Sequence, residues 1–141
     1  NTPVAPGEIP IVVVGAHLSG MPLNGELVAL DGRFLEATRT APDYRLFALA
    51  GTTPPKPGML RVAAGAGTPI EVEVWALQAA AFGQFVAAIP QPLSIGSVRL
   101  ADGRLVKGFL VEPEGIAGAS DVSEFGGWRA AVTALARPAP T

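Results

Sequence analysis

Cysteine is absent from these 141 residues. That excludes disulfides, thiolate nucleophiles and thiolate metal sites, and it fits a reducing, cytoplasmic setting. Histidine occurs once, as His17, so one chain cannot build a multi-histidine metal site. Charge is sparse: charged residues make up 16% of the chain, the net charge is −2, and the ten cations form no basic stripe. A nucleic-acid partner is therefore not expected. No stretch approaches the roughly 18 uninterrupted apolar residues of a membrane span. The first residues, Asn1 to Gly7, contain neither Met nor a leader-type apolar run. They read as a linker within a longer protein.

Apolar residues make up 49% of the sequence. The length suits one domain with a real core. The expected organisation is a linker over 1–8, a single domain over 9–136 and a tail over 137–141. Residues 9–16 read as a buried strand, because Ile11 to Val14 is continuous and β-branched. A loop over 17–33 follows, with a helical turn over 22–29. Strands over 34–40 and 44–49 flank the turn signal Thr40-Ala41-Pro42-Asp43. Strands over 59–63 and 69–77 flank Gly65-Ala66-Gly67 and suggest a hairpin. Phe82, Phe85, Val86 and Ile89 fall on one face of a helix over 78–89, which Pro90 stops. Strands over 95–100 and 104–111 enclose Asp102-Gly103, a tight-turn signal. A short helix over 112–119 and a last helix over 126–136, with Trp128, Val132 and Leu135 on one stripe, complete the reading. Hairpin-rich strands without regular helix alternation give an α+β class, a mixed or antiparallel sheet closed into a small barrel with flanking helices.

Three places could carry chemistry. His17 sits where the first strand breaks into Gly15-Ala16-His17-Leu18-Ser19-Gly20. It is either a surface or capping histidine, or a proton carrier on a loop whose root the strand fixes. Eight of the ten cations are arginine. Arg39 and Tyr44 bracket the turn at 40–43, which is either a solvated hairpin or an anion clamp, since Arg can hold a carboxylate by two parallel hydrogen bonds. Lys107 shares a strand face with Leu105 and Phe109, so either that face is outside or Lys107 meets an anion in a pocket. Gly108 beside it marks a bulge or a close approach. Glu71 and Glu73 read as a solvent-facing strand edge. No phosphate-binding loop and no Gly-x-Ser-x-Gly nucleophile setting is present.

The segments "GAHLSGMPLN", "RTAPDYRLFAL", "VEVWAL", "FVAAIPQPLSIGSVRLADGRLVKGFL" and "FGGWR" together resemble the C-terminal domain of allophanate hydrolase, over roughly residues 11–131. The resemblance implies a γ-glutamyl cyclotransferase-like fold. It also implies decarboxylation of N-carboxycarbamate, left by an amidase domain, to carbamate and carbon dioxide in urea or s-triazine breakdown. The substrate would be a small dicarboxylate, and no metal or organic cofactor would be needed. His17 would donate or relay the proton. Arg39 and Tyr44 would hold the remaining carboxylate, with Lys107 as a further charge. Backbone N–H groups of Leu18, Ser19 and Gly20 would form an anion nest. The implied partners are the amidase domain of the same enzyme and a second copy in a homodimer. The other readings are a docking module on that amidase and a free-standing cyclotransferase-like enzyme. Cyclotransferases use a glutamate near the helix at 78–89, whereas this chain has no acid between Glu73 and Asp102.

Overall fold

The computed structural model describes residues 3–136, so the expected tail over 137–141 lies outside the described residues. Five strands form a mixed sheet, in spatial order β2 (Arg33–Arg39), β5 (Glu71–Gln78), β1 (Glu8–Val13), β7 (Leu105–Val111) and β6 (Leu93–Arg99). β1 is the central strand. It runs antiparallel to β5 from Glu8 to Val13 and parallel to β7 at Val12 opposite Gly108. Ile11, Val12 and Val13 are each at 0% exposure, the burial that their continuous β-branched run implies. Glu8, counted with the linker in the sequence, opens β1 and is ion-paired with Arg33 at 2.6 Å.

A second sheet of three antiparallel strands has the order β4 (Pro57–Arg61), β3 (Tyr44–Ala48), β8 (Ser120–Asp121). This corrects the pairing read from the turns. β4 and β5 do not form a hairpin; β4 pairs with β3, and β5 pairs with β1 and β2. β2 and β3 likewise lie in different sheets. Turn residues mark a chain reversal but do not choose the partner. The β6–β7 hairpin is present, with Gly103 at φ 94° in its turn.

The described strands do not hydrogen-bond into one closed barrel. The edges of the large sheet nonetheless meet at one end. Thr40 bridges Leu100, and Ala41 N and Ala101 N donate to Arg99 O and Arg39 O. Three helices flank the sheets: α1 (Asn24–Ala29), α2 (Ala79–Ala87) and α3 (Trp128–Leu135). Phe85 is the buried residue of α2. In α3 the inward stripe is Trp128 and Ala131, while Leu135 is 57% exposed. A single 3-10 turn over Pro113–Ile116 stands where a short helix was expected. None of the described helices is long and apolar enough to cross a membrane.

Gly108 marks a close approach between strands. A Cβ there would lie 2.6 Å from Val12 Cβ and 3.0 Å from Val12 O, in the middle of the sheet. Gly108→Ala is expected to cost about 1–3 kcal/mol by overpacking. Urea denaturation read by tryptophan fluorescence measures this as a lowered midpoint at unchanged slope.

Candidate functional site

The stretch from Val14 to Leu23 connects β1 to α1 and presents His17. It is stiffened from within. Leu18 N donates to Gly15 O, Leu23 N to Ala16 O, and Asn24 Nδ2 to His17 O at 2.8 Å. Gly15 lies so close to Pro57 that any Cβ would collide with the proline ring. Only glycine lets the loop lie there, and the contact brings Lys56 to the side of the loop that carries His17.

The His17 ring is stacked on Phe109 (centroids 5.0 to 5.2 Å from its two aromatic neighbours, 17° between planes) and meets Phe85 edge-on at 79°. Its Nε2 lies 2.7 Å from Glu26 Oε1. A carboxylate oxygen accepts, so Nε2 carries the hydrogen of this bond. The side chain of His17 is 13% exposed and that of Glu26 55%. Burial holds the imidazole below its ordinary proton affinity; the hydrogen bond and charge of Glu26 oppose this, and the Lys56 charge adds to it. Because the folded state takes up the proton less readily than the unfolded chain, this histidine contributes stability above about pH 6.5. That contribution is lost as pH falls from there through the folded value.

These groups line a cleft of about 520 Å³. Its polar lining is His17, Glu26, Lys56 and Gln84; the rest is apolar and includes Leu30, Phe85, Ile89, Leu93 and Phe109, of which Phe85 and Phe109 adjoin the His17 ring. A largely apolar concavity with a few convergent polar groups is the usual form of a small-molecule site.

Behind the loop lies a buried carboxylate. Glu73 is 4% exposed. Its Oε1 accepts from Ser19 N and Ser19 Oγ, both at 2.8 Å, and from Trp75 Nε1 at 3.0 Å. Its Oε2 accepts from Arg129 Nη2 at 2.9 Å, and the same nitrogen donates to Ser19 O at 2.7 Å. Burial raises the proton affinity of Glu73, but the bonds from Trp75, Ser19 and Arg129 outweigh it and hold the carboxyl below its ordinary range. Glu73 is thus no part of a solvent-facing edge. β5 runs between β1 and β2, so only Glu71 of the pair reaches solvent.

The allophanate hydrolase C-terminal domain family matches residues 9–133. The chain belongs to this family. It is 42% identical over 126 residues to a urea amidolyase of Saccharomyces cerevisiae, a match that takes in 87% of this chain and 7% of that protein. It is 38% identical to the urea amidolyase of Kluyveromyces lactis, whose crystal structure superposes with a TM-score of 0.87 over 92% of this chain and 8% of that one. The structure of a uropathogenic E. coli-specific protein matches at 34% identity and a TM-score of 0.82, over 89% of this chain and 96% of that chain. A γ-glutamyl cyclotransferase, at 12% identity and a TM-score of 0.54, shares the fold.

In this allophanate hydrolase C-terminal domain the residues singled out in the sequence do not all meet. His17 lines the cleft; Arg39, Tyr44 and Lys107 do not. Arg39 pairs with Glu71 at 3.3 Å on an exposed surface. Tyr44 is 1% exposed, and its hydroxyl accepts from Arg99 N. Lys107 donates to Ser97 Oγ across the exposed face of the β6–β7 hairpin. The anion nest is also spoken for, because Leu18 N donates to Gly15 O and Ser19 N to Glu73. Gly20, at φ 78°, turns the loop at the surface. The cation and the carboxylate of the cleft are instead Lys56 and Glu26, which sequence reasoning missed. Lys56 sits in a proline-rich loop with no local signal. On the α2 side the cleft is lined by Gln84, Phe85, Ala88 and Ile89, none of them an acid, and its carboxylate comes from α1.

With one histidine in the chain, a single imidazole resonance reports on the site. Its NMR titration midpoint is expected below 6.5, and Glu26→Gln is expected to move it further down, because the neighbouring negative charge that favours the protonated ring is removed. A midpoint unchanged by Glu26→Gln would show that the pair does not persist in solution.

Proposed function

We propose that this domain releases carbon dioxide from N-carboxycarbamate, with His17 as the proton donor. The observation that carries this reading is the His17–Glu26 pair, with Lys56, in a cleft whose remaining lining is mostly apolar. The substrate is a dianion with a carboxylate on each side of an N–H. The step breaks one C–N bond. Its electron pair stays on nitrogen, carbon dioxide leaves, and the proton from His17 makes the nitrogen an amine, so the product is carbamate. With Nε2 held by Glu26, Nδ1 is the nitrogen left to pass the proton.

Lys56 takes the part first given to Arg39, Tyr44 and Lys107, holding the carboxylate that stays. The leaving carboxylate lies against Phe85, Ile89 and Phe109. A charged carboxylate becomes neutral carbon dioxide, so an apolar wall suits the transition state better than the ground state. The dianion also loads its own acid. Two negative charges beside an imidazole of lowered proton affinity raise that affinity again. General acid catalysis of this kind contributes roughly 10²–10⁴-fold. The names of the urea amidolyase relatives support a role in urea breakdown, and their much greater length supports an amidase domain as the source of the substrate.

Two measurements test this. N-carboxycarbamate is generated in the cuvette by an amidase acting on allophanate, and carbon dioxide release is followed by stopped flow. The domain is expected to speed release above the spontaneous rate, and His17→Ala to abolish the gain. Malonate, with a methylene in place of the N–H, is expected to shift the His17 resonance, and Lys56→Ala to weaken its binding at least tenfold. Equal release with and without the imidazole, together with no response to malonate, would overturn the reading.

A further inference from the structure

We propose that Glu73 and Arg129 are positioning residues: together they clamp the strand-end loop to the sheet and so keep the His17 ring seated between Phe109 and Phe85. Its bearing on catalysis rests on the role proposed for His17, but the clamp itself is a matter of geometry.

The loop that carries His17 is hydrogen-bonded to β5 and α3 through Ser19, two residues on. Every polar atom of Ser19 is taken up. Its N–H and hydroxyl donate to Glu73 Oε1, and its carbonyl accepts from Arg129 Nη2. Arg129 spans Ser19 O and Glu73 Oε2 with one nitrogen, closing a ring of contacts between β5, the loop and α3. The start of α3 is itself fixed to β5. Glu71 N donates to Gly126 O, and Gly127 passes so close that a Cβ there would lie 2.9 Å from Glu71 Cβ. Next to Arg129, Trp128 packs toward Gly15, with its Cδ1 3.6 Å from where a Gly15 Cβ would stand. The short stretch Gly126-Gly127-Trp128-Arg129 thus holds the loop at both Gly15 and Ser19.

The aromatic bed of His17 belongs to other elements, Phe109 to β7 and Phe85 to α2. The pairing with Glu26 is different. It is set within the loop and α1, by Leu23 N on Ala16 O and Asn24 Nδ2 on His17 O. Releasing the clamp therefore separates His17 from Phe109 and Phe85 while Glu26 travels with it. The charged groups facing His17 are Glu26 from α1 and Lys56 from the loop before β4; α2 and β7 present uncharged side chains to it. A loosened loop leaves the ring better hydrated, and hydration raises a proton affinity that burial had lowered.

The test is the NMR titration of the lone imidazole, with ring-to-ring NOEs from His17 to Phe109, in Arg129→Ala, Arg129→Lys, Glu73→Gln and Ser19→Ala. Arg129→Ala is expected to raise the midpoint by roughly half a unit or more toward the ordinary histidine value and to weaken the NOEs. Arg129→Lys, which keeps the charge and one donor, is expected to recover part of the shift. Glu73→Gln separates geometry from charge. Loss of a negative charge alone lowers the midpoint, whereas a released loop raises it. Ser19→Ala removes one bond, keeps the buried ion pair and is expected to shift the midpoint slightly in the same direction, which covers the case in which Glu73→Gln fails to fold. Folded Arg129→Ala and Ser19→Ala with unchanged midpoint and NOEs would overturn the proposal, as would a lowered midpoint in folded Glu73→Gln. None of these readouts needs turnover, so a failure of the decarboxylation reading leaves the result interpretable.

Discussion

A carboxylate buried to 4% exposure must be satisfied from within the protein, and in Glu73 both oxygens are. Leaving such a group unpaired costs several kcal/mol. This need ties three distant parts of the chain together: Ser19 in the loop after β1, Trp75 two residues along β5, and Arg129 in α3. The pair with Arg129 is about half open to solvent on the arginine side, with its side chain 45% exposed, so the ion pair alone is a modest part of the total. The backbone and indole donors, shielded at Oε1, do more to hold the carboxylate. The cleft with its histidine is built in front of this anchor. The loop cannot move far without stripping Glu73 of two donors at once.

The same point explains where the sequence misleads. Glu71 and Glu73 alternate with valines, and alternation along a strand ordinarily separates a wet face from a dry one. Here β5 has a neighbour strand on each side, and six of its eight residues are buried. The polar-looking face is dry at Glu73 because the loop and α3 close over it. No pattern within 71–78 carries that information; it depends on residues more than fifty positions away. The fold shows the same division. β1, α2 and the β6–β7 hairpin are legible because continuous β-branched burial, a helical period and an Asp-Gly turn are local properties. The partners of β4 and β5 are not, since a turn between two strands leaves open which sheet each joins.

Charge gives a parallel lesson. The abundance of arginine in a chain with few charges suggested anion binding. In the structure Arg33, Arg39, Arg45, Arg99, Arg104 and Arg129 each lie against a carboxylate of the protein itself. Arg104 reaches both oxygens of Glu36 at 3.0 Å, a forked contact between β2 and the β6–β7 turn. The planar fork is used to join elements of the fold. The cleft takes its cation from Lys56, a point charge on a flexible stem, and its carboxylate from Glu26. The family resemblance located the histidine loop, but the partners of the histidine come from segments without a motif.

The chemistry we propose for the cleft rests on how little charge it holds. With the imidazole neutral, Glu26 and Lys56 balance, and the apolar wall makes any added ion costly. A dianion can enter such a site if it brings a proton onto His17 as it binds, because the imidazolium then offsets charge that Lys56 alone cannot. Glu26 limits this. By holding Nε2 it stabilises the imidazolium, yet its own charge would repel the proposed dianion, whose carboxylates would then lie away from it, toward Lys56 and the aromatic lining. That orientation would set the two ends of the proposed substrate in unlike surroundings, one beside an ammonium and one beside hydrocarbon. The end beside hydrocarbon gains most by becoming neutral. In the proposed reaction, an acid that gains its proton only as the substrate binds would keep proton delivery tied to occupancy. Burial of His17 against Phe109 and Phe85 is what makes the empty-cleft imidazole weakly basic.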